Sequence, residues 1–582
     1  MKKYFLFFLI CFSIKIFSQD IPQNISYTTI YDFMDELAGE GLIDLNSGIR
    51  PYSRKYIAEK LVEAKRADSL LSRRAKKDLE FFLQDYAIER DTLPKTWVHA
   101  TDKKTWDISL WQPAFHFSNK WFKMRLTPLL GGEVIANKKG AIINRFYGAD
   151  LQMTVANHVS VYANLRDNSY YGKFLRTSMG MKPADAKLAR GSYFNLLPGA
   201  EYKEANYGGD FSEMRGGIKA YCKYGSIGLI KDNLAWGESR HSSNILSGRV
   251  PSFPMLTLNL TPVKWVELNY IHGWLVSNVK DSTRYYVENL SNGTTEKEYR
   301  PYNKYIAANM LTVRPIKNLR ISVGNSIIYS EVTPHAAYFI PIAFFKSLDH
   351  VQTKGLGVEN QNSQIFAMIS SRNIKHLHLY ASIYFDEIQF KRLKMSEPQR
   401  NLYSYQVGAT VTNFPLKNLY LNAEFTRSNI ANYKHSIQSL TFASNSYYLG
   451  HYLGDNSQEI FVKLGYKPVR GLDISVSYTN ARHYNDYNYD RNSIGRIIAK
   501  ETYDQLTWQN DIINLTALYE IGNNVFAHFS MEYNNARGYD QSSRVGSESE
   551  NCLTAQGFLD LYTPKFYQGK NLTFSLGLNI GF

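Results

Sequence analysis

The densest run of reactive side chains is Trp236-Gly237-Glu238-Ser239-Arg240-His241-Ser242-Ser243-Asn244. Serine, histidine and glutamate together could supply a nucleophile, a base and an acid to orient it. Neighbours this close on a loop rarely form a base–nucleophile pair, and no glycine-flanked serine elbow is present. A hydrolase working from the loops is therefore the weaker reading. A second chemistry is sugar binding. The indole of Trp236 could stack on a pyranose face while Arg240, His241 and Asn244 take hydroxyls and carboxylates. The third reading is structural, a loop that caps the fold or folds into it. His376 and His378 at i, i+2, with Asp386, could ligate a metal, but a third strong ligand is missing. We expect neither metal nor cofactor.

These residues lie in a chain that alternates. A strand points successive side chains to opposite faces. Over 376–386 one face is Leu377, Leu379, Ala381, Ile383 and Phe385. The other is His376, His378, Tyr380, Ser382, Tyr384 and Asp386. The same parity places Glu267, Glu424, Asp473 and Glu532 on the polar face, with Lys123, Arg125, Arg166, Arg215, Lys219 and Lys463. The final stretch, NLTFSLGLNIGF, alternates without a break up to the aromatic Phe582. It resembles the closing strand of bacterial outer-membrane β-barrels. In a bilayer only helices and closed barrels satisfy every backbone group, so this strand is expected to pair with the first. The apolar faces then meet lipid and the polar faces line a lumen. His378, Tyr380, Tyr384, Asp386 and Glu424 form part of a polar ladder there, with acids and bases cross-linking neighbouring strands.

From Trp106 onward about twenty stretches show this period at the length a tilted spanning strand needs. Short turns recur at Pro262, Pro315, Pro415 and Pro468, and long loops rich in Tyr, Asn, Ser and Gly lie between them. Proline cannot serve a ladder and belongs in such turns. Short turns on one side and long loops on the other is the layout of an outer-membrane barrel. The content of 43 Tyr, 32 Phe and 8 Trp at a mean hydropathy of −0.35 suits an apolar wall around a polar lumen. Residues 1–18 read as a secretory signal ending at Ser18. Residues 19–95 read as a small periplasmic helical bundle. Its stripes are Ile30, Phe33, Met34 and Leu37, then Ile57, Leu61 and Ala64, then Leu79, Phe82, Leu83 and Tyr86, the last helix capped by Ser72. Residues 96–582 read as the barrel. Cys222 and Cys552 are expected to stay unpaired.

The charge of +15 is uneven. With 12 Lys and Arg against 14 Asp and Glu, residues 19–95 stand at −2, while residues 96–582 stand at +14. That excess suggests an acidic partner such as lipopolysaccharide or an anionic surface polysaccharide.

Several segments together resemble the Wzi-type capsule-assembly family. They are Gly41-Leu42-Ile43 and Arg50-Pro51-Tyr52-Ser53 between two helices, Trp236-Gly237 with its Ser-Ser-Asn run and the exit Val250-Pro251-Ser252-Phe253-Pro254, Tyr380 to Glu387, and Leu449 to Asn456. The family often carries Trp-Gly-Pro-Gly where this chain has Trp236-Gly237-Glu238-Ser239. A related branch looks like the RemB surface proteins of gliding flavobacteria. The resemblance implies an 18-stranded barrel, a helical bundle on the periplasmic side and a lectin-like role in holding capsular polysaccharide. The expectation is thus an all-β transmembrane barrel with an N-terminal helical bundle, at the surface of a Gram-negative outer membrane. It is not expected to be an enzyme. Its partners would be surface polysaccharide or lipopolysaccharide, outer-membrane lipid and the barrel-assembly machinery, with secretion or gliding machinery in the alternative role and no nucleic acid.

Overall fold

The structure is a computed structural model. It describes residues 21–45, 48–90, 92, 106–109, 114–156, 158–172, 203–205, 208–289, 294–353, 361–388, 391, 401–445, 447–485, 505–541 and 554–581. The signal segment, Cys552 and Phe582 lie outside them.

Eighteen antiparallel strands, from Phe122–Asn137 to Gly569–Ile580, form a closed barrel. The last strand pairs with the first, Leu576 opposite Val134 and Ile580 opposite Leu130. On this last strand Leu572, Phe574, Leu576 and Leu578 are exposed, while Asn571, Thr573 and Ser575 are buried. Inside, the Ser575 hydroxyl donates to Glu133 of the first strand. Closure leaves no unpaired edge. Two short strands, Trp106–Ser109 and Ala114–Ser118, form a hairpin laid against the lower part of Phe122–Asn137. Deleting Phe582, or changing it to Asp, should lower the yield of heat-modifiable barrel, read from gel mobility with and without boiling. An undiminished yield would show that recognition of the last strand does not use its terminal aromatic.

Asn318, Asn418 and Asn524 take left-handed backbone in the short turns, with φ of 62°, 69° and 62°. Asparagine tolerates that region because its side chain bonds locally. Three helices fill this short-turn end, the end such barrels present to the periplasm. They are α1 (Thr28–Gly39), α2 (Arg54–Arg66) and α3 (Arg73–Asp85). Ser53 and Ser72 cap α2 and α3 by accepting from Tyr56 and Ala75. The apolar stripes of all three converge in one core that also takes Phe526 from the barrel wall. The bundle is therefore set into the barrel mouth and shares its core with the wall.

At the long-loop end three segments take different courses. Residues 233–252 fold into the lumen, where Ala235–Trp236 pairs with Ile49–Arg50 of the N-terminal segment. Lys280–Asn289 and Thr295–Pro301 form a separate hairpin outside the barrel sheet. Residues 335–348, which include the start of α4 (Phe345–Thr353), lie against the outer wall. A last helix, α5 (Ala555–Tyr562), packs near Trp508. Cys222 is a free, half-buried thiol.

Candidate functional site

The segment 233–252 stays inside because its side chains are matched to what surrounds them. Trp236 is 1% exposed, in a cluster with Ile245, Leu246, Met255 and Phe366. Its ring meets that of Phe366 edge-on at 6.0 Å. Gly237 has φ of 132°, and a side chain there would strike the Ser243 hydroxyl, which donates to the Trp236 carbonyl at 2.5 Å. A tight turn thus forms from Gly237 and Ser243 without the Pro-Gly pair of the family pattern. Ser239 Oγ accepts from the backbone of Ser242 at 2.9 Å and donates to Glu424 Oε2 at 2.5 Å.

Glu424 is where the loop meets the wall. It also accepts from the Arg240 backbone and from the Tyr380 hydroxyl, both at 2.7 Å. Asn244 is held on three sides. Its amide donates to the Ser404 carbonyl at 3.1 Å, its side-chain oxygen accepts from Ser382 at 2.7 Å, and its carbonyl accepts from Tyr433 at 2.7 Å. His241 stacks on Phe461 at 4.1 Å and lies 3.3 Å from Glu459. Tyr384 packs on Tyr433 at 4.9 Å, and Asp386 lies higher, 3.5 Å from Gln364. The four loop residues Trp236, Arg240, His241 and Asn244 are therefore brought together within the lumen, and not at the extracellular mouth. His378, Tyr380, Tyr384 and Glu424 form the wall that receives them.

Arg240 shows why the chain takes this path. Its guanidinium bonds to Asp32 and, at 2.8 Å, to Asp35, both on α1. Asp35 also meets Arg372 of the wall at 3.0 Å and Arg50 at 3.3 Å. One carboxylate thus ties helix, inward loop and barrel together. Burial pushes its pKa up, but Arg240, Arg372 and Arg50 outweigh burial and hold it below the ordinary value. Glu36 repeats the arrangement with Arg74 and with Lys467 at 3.1 Å. Burial opposes its charge, yet Lys467 and Arg74 bring its pKa down to about 2. Asp44 meets Arg320 at 2.9 Å and Arg314 at 3.5 Å, and Asp85 meets Arg125 at 2.8 Å. Some wall charges do pair along the wall, such as Arg314 with Glu267 at 3.8 Å. Arg537 with Asp511 is another such pair, whereas Arg125, Arg320 and Arg372 turn inward to the N-terminal segment. Part of the basic excess of residues 96–582 is thus matched by the acidic N-terminal segment.

The His378 ring is not set to act as a base on its serine neighbour. His378 Nε2 lies 2.9 Å from Ser370 Oγ, but its Nδ1 lies 3.1 Å from an Arg372 nitrogen. A guanidinium only donates, so Nδ1 accepts and the ring proton sits on Nε2. Such a ring has no lone pair left to take the serine proton. Among the described residues no group of three or more His, Cys, Asp or Glu is placed to hold a metal. Cavities of about 620 and 330 Å³ lie beside the inward segment, both lined by Asp32, Arg249, Lys463 and Lys467.

Outside the lumen, the hairpin 280–301 carries exposed rings. Tyr285 and Tyr299 face each other across it, 5.9 Å apart at 59°, with Lys297 Nζ 4.5 Å from the Tyr285 ring. Alternation in the sequence could have found this pair. The inward turn of residues 233–252 has no such signal, because a loop has no period.

Comparison with known proteins extends the geometry. The profile of the family Capsule assembly protein Wzi matches residues 185–544. Curated protein sequences give no match. Among solved structures, Wzi of Escherichia coli, described as a carbohydrate-binding β-barrel involved in group 1 capsule assembly, superimposes with a TM-score of 0.54 at 12% identity, covering 97% of this chain and 99% of that one. OccK8 (OprE) of Pseudomonas aeruginosa gives 0.41 at 10% identity, covering 78% and 97%. The profile spans more than half of the sequence, and the chain belongs to the Wzi family of capsule assembly proteins of the outer membrane.

Proposed function

We propose that this protein holds surface polysaccharide at the exterior of the outer membrane, and that the hairpin 280–301 makes the contact. The observation that carries the reading is the exposed Tyr285–Tyr299 pair at the long-loop end, on a member of a family in which the Escherichia coli relative binds carbohydrate. Its strand position fixes the side. Val266–Leu275 runs away from the short turn at Lys264-Trp265, so the hairpin that follows it leaves at the opposite end. Two exposed phenol rings, with Lys297 over one side of Tyr285, suit the C–H face of a pyranose. In this reading Trp236, Arg240, His241 and Asn244 brace the lumen and do not meet the glycan.

The acidity of the glycan is a separate matter. Residues 280–301 carry four basic and four acidic side chains. Recognition by stacking on a charge-balanced hairpin predicts binding that changes little with salt. Binding of purified protein to a panel of capsular and lipopolysaccharide glycans tests the proposal. Tyr285→Ala with Tyr299→Ala removes two stacked contacts, each worth about 1 kcal/mol, and should weaken binding on the order of thirtyfold. Unchanged binding by the double variant would remove the hairpin from the site. Steep loss of parent binding with salt would move it to the basic loops.

A further inference from the structure

The outer wall breaks its own pattern on one side. On strand Leu319–Tyr329, residues 321, 323, 325, 327 and 329 point outward, since Ser326 and Ile328 point into the barrel. Low on this face Val323 is 52% exposed, and its neighbour Leu311 is 40% exposed, as lipid-facing residues are. Higher up, outward positions carry Asn325, Tyr329, Asn309, Tyr270 and His272, and all of these are buried. A polar outward residue is unexpected on a lipid face.

Residues 335–348 cover it. Tyr338 and Phe345 join Tyr270, Tyr305, Ile327 and Tyr329 in one cluster. The Asn309 and Asn325 amides both donate to the Ala343 carbonyl, at 2.8 and 3.2 Å, and Asn325 accepts from the Phe345 backbone at 2.9 Å. Tyr270 donates to the Tyr338 carbonyl at 2.8 Å, and His272 stacks on Phe339 at 4.2 Å. The segment is a shelf fixed to the outside of the barrel.

Its height decides what it meets. Asn325 is six residues above the turn at Leu319 and Tyr329 is ten above it. Tilted strands rise so that these rows stand roughly 15 and 25 Å above the turn, in the upper part of an apolar band about 25 Å tall. The shelf takes lipid's place there, and its own outer surface must continue the band. That surface is apolar: Ile342 is 77% exposed, and Ile340 and Phe344 are exposed beside it. No Lys, Arg, Asp or Glu occurs between Glu331 and Lys346. Irregular backbone is tolerated at membrane depth only where protein buries it, so the shelf must turn its main chain to the wall and its side chains to lipid. Here the carbonyls of Ala337, Tyr338, Ile340, Ala343 and Phe344 all accept hydrogen bonds from the protein.

We propose that Ile340, Ile342 and Phe344 seat this shelf among the lipid chains of the outer leaflet, as a non-strand extension of the barrel's apolar belt. The test uses the mature chain with Cys222→Ser and Cys552→Ser and a nitroxide on Ile342→Cys, in vesicles of phosphatidylcholine and phosphatidylglycerol. Collisions with oxygen should exceed those with a water-soluble nickel chelate, as for a label at Val323→Cys and opposite to one at Tyr286→Cys. Ile340→Cys gives an independent reading if the first variant does not assemble. Dominance of the nickel chelate would make the shelf a solvated loop. Exclusion of both quenchers would mean that protein, a second copy or another partner, covers it. Either result overturns the proposal.

Discussion

Asp35→Ala should release the N-terminal helices from the barrel while leaving the barrel itself closed. The carboxylate contacts three guanidiniums, Arg50, Arg240 and Arg372, drawn from three parts of the chain. Its removal takes the shared carboxylate from buried guanidiniums, of which Arg240 keeps Asp32, and breaking such a buried cluster costs about 3–5 kcal/mol. The barrel ladder does not use it. Limited proteolysis should therefore cut within residues 21–90 much faster, with the heat-modifiable barrel band unchanged. Adding Arg372→Met should recover part of the loss, since one stranded charge disappears with it. An unchanged cleavage rate in Asp35→Ala would show that apolar packing of the helices suffices. Acid should act in the same direction through Glu36. Its folded pKa of about 2 lies below the ordinary 4.5, so its stabilisation is complete above 4.5 and is lost as pH falls towards 2. Asp78, raised by burial, works against this trend. Cleavage within the helices should rise across that acid window and stay level above it.

Trp236→Ala should loosen the inward segment from the opposite side. The indole is fully enclosed, and replacing a buried tryptophan by alanine costs about 3–5 kcal/mol in transfer and cavity terms. The segment is held by Glu424 and Asn244 contacts as well, so the expected result is a looser lumen in an intact barrel. Ion conductance of the protein in planar bilayers should rise above that of the parent, and Arg249 and Gly248 should become open to protease. Trp236→Phe is the control. The indole N–H has no hydrogen-bond partner among the described residues, so phenylalanine forfeits volume but no bond. Equal conductance for parent and Trp236→Ala would show that other residues occlude the lumen at this level.

The contrast between these two sites marks what could be read from the sequence. Parity on 376–386 placed Tyr380, Tyr384 and Asp386 on the inner face because a strand's period is its geometry. The three helices followed from their stripes and from Ser72 for the same reason. Nothing in Trp236-Gly237-Glu238-Ser239-Arg240 says which way a loop bends. That depends on Asp32 and Asp35, about two hundred residues earlier, and the pairing exists only in three dimensions. The acidic surplus of residues 19–95 beside the basic surplus that follows was the available clue, since opposite charges in one chain can satisfy each other. The outer shelf had a clue too: Asn309 and Asn325 sit at outward parity, where a lipid face would not place them.

The clamp on the N-terminal helices also sets an order of events. Its partners are Arg372, Asn413, Lys467, Gly471 and Asn524, contributed by successive turns and strand ends around the ring. Asp35 and Arg372 are separated by 337 residues in sequence, and Glu36 and Lys467 by 431. The helices are made first and their partners last. Contacts of such long sequence separation form late and slowly. Through most of biosynthesis Asp35, Glu36 and Asp85 have only Arg50, Arg74 and Arg54 of their own segment, and the barrel partners of these three and of Asp44 are still to come. The acidic face finds its seat only when the strands stand in a ring, so the seated bundle reports a completed barrel.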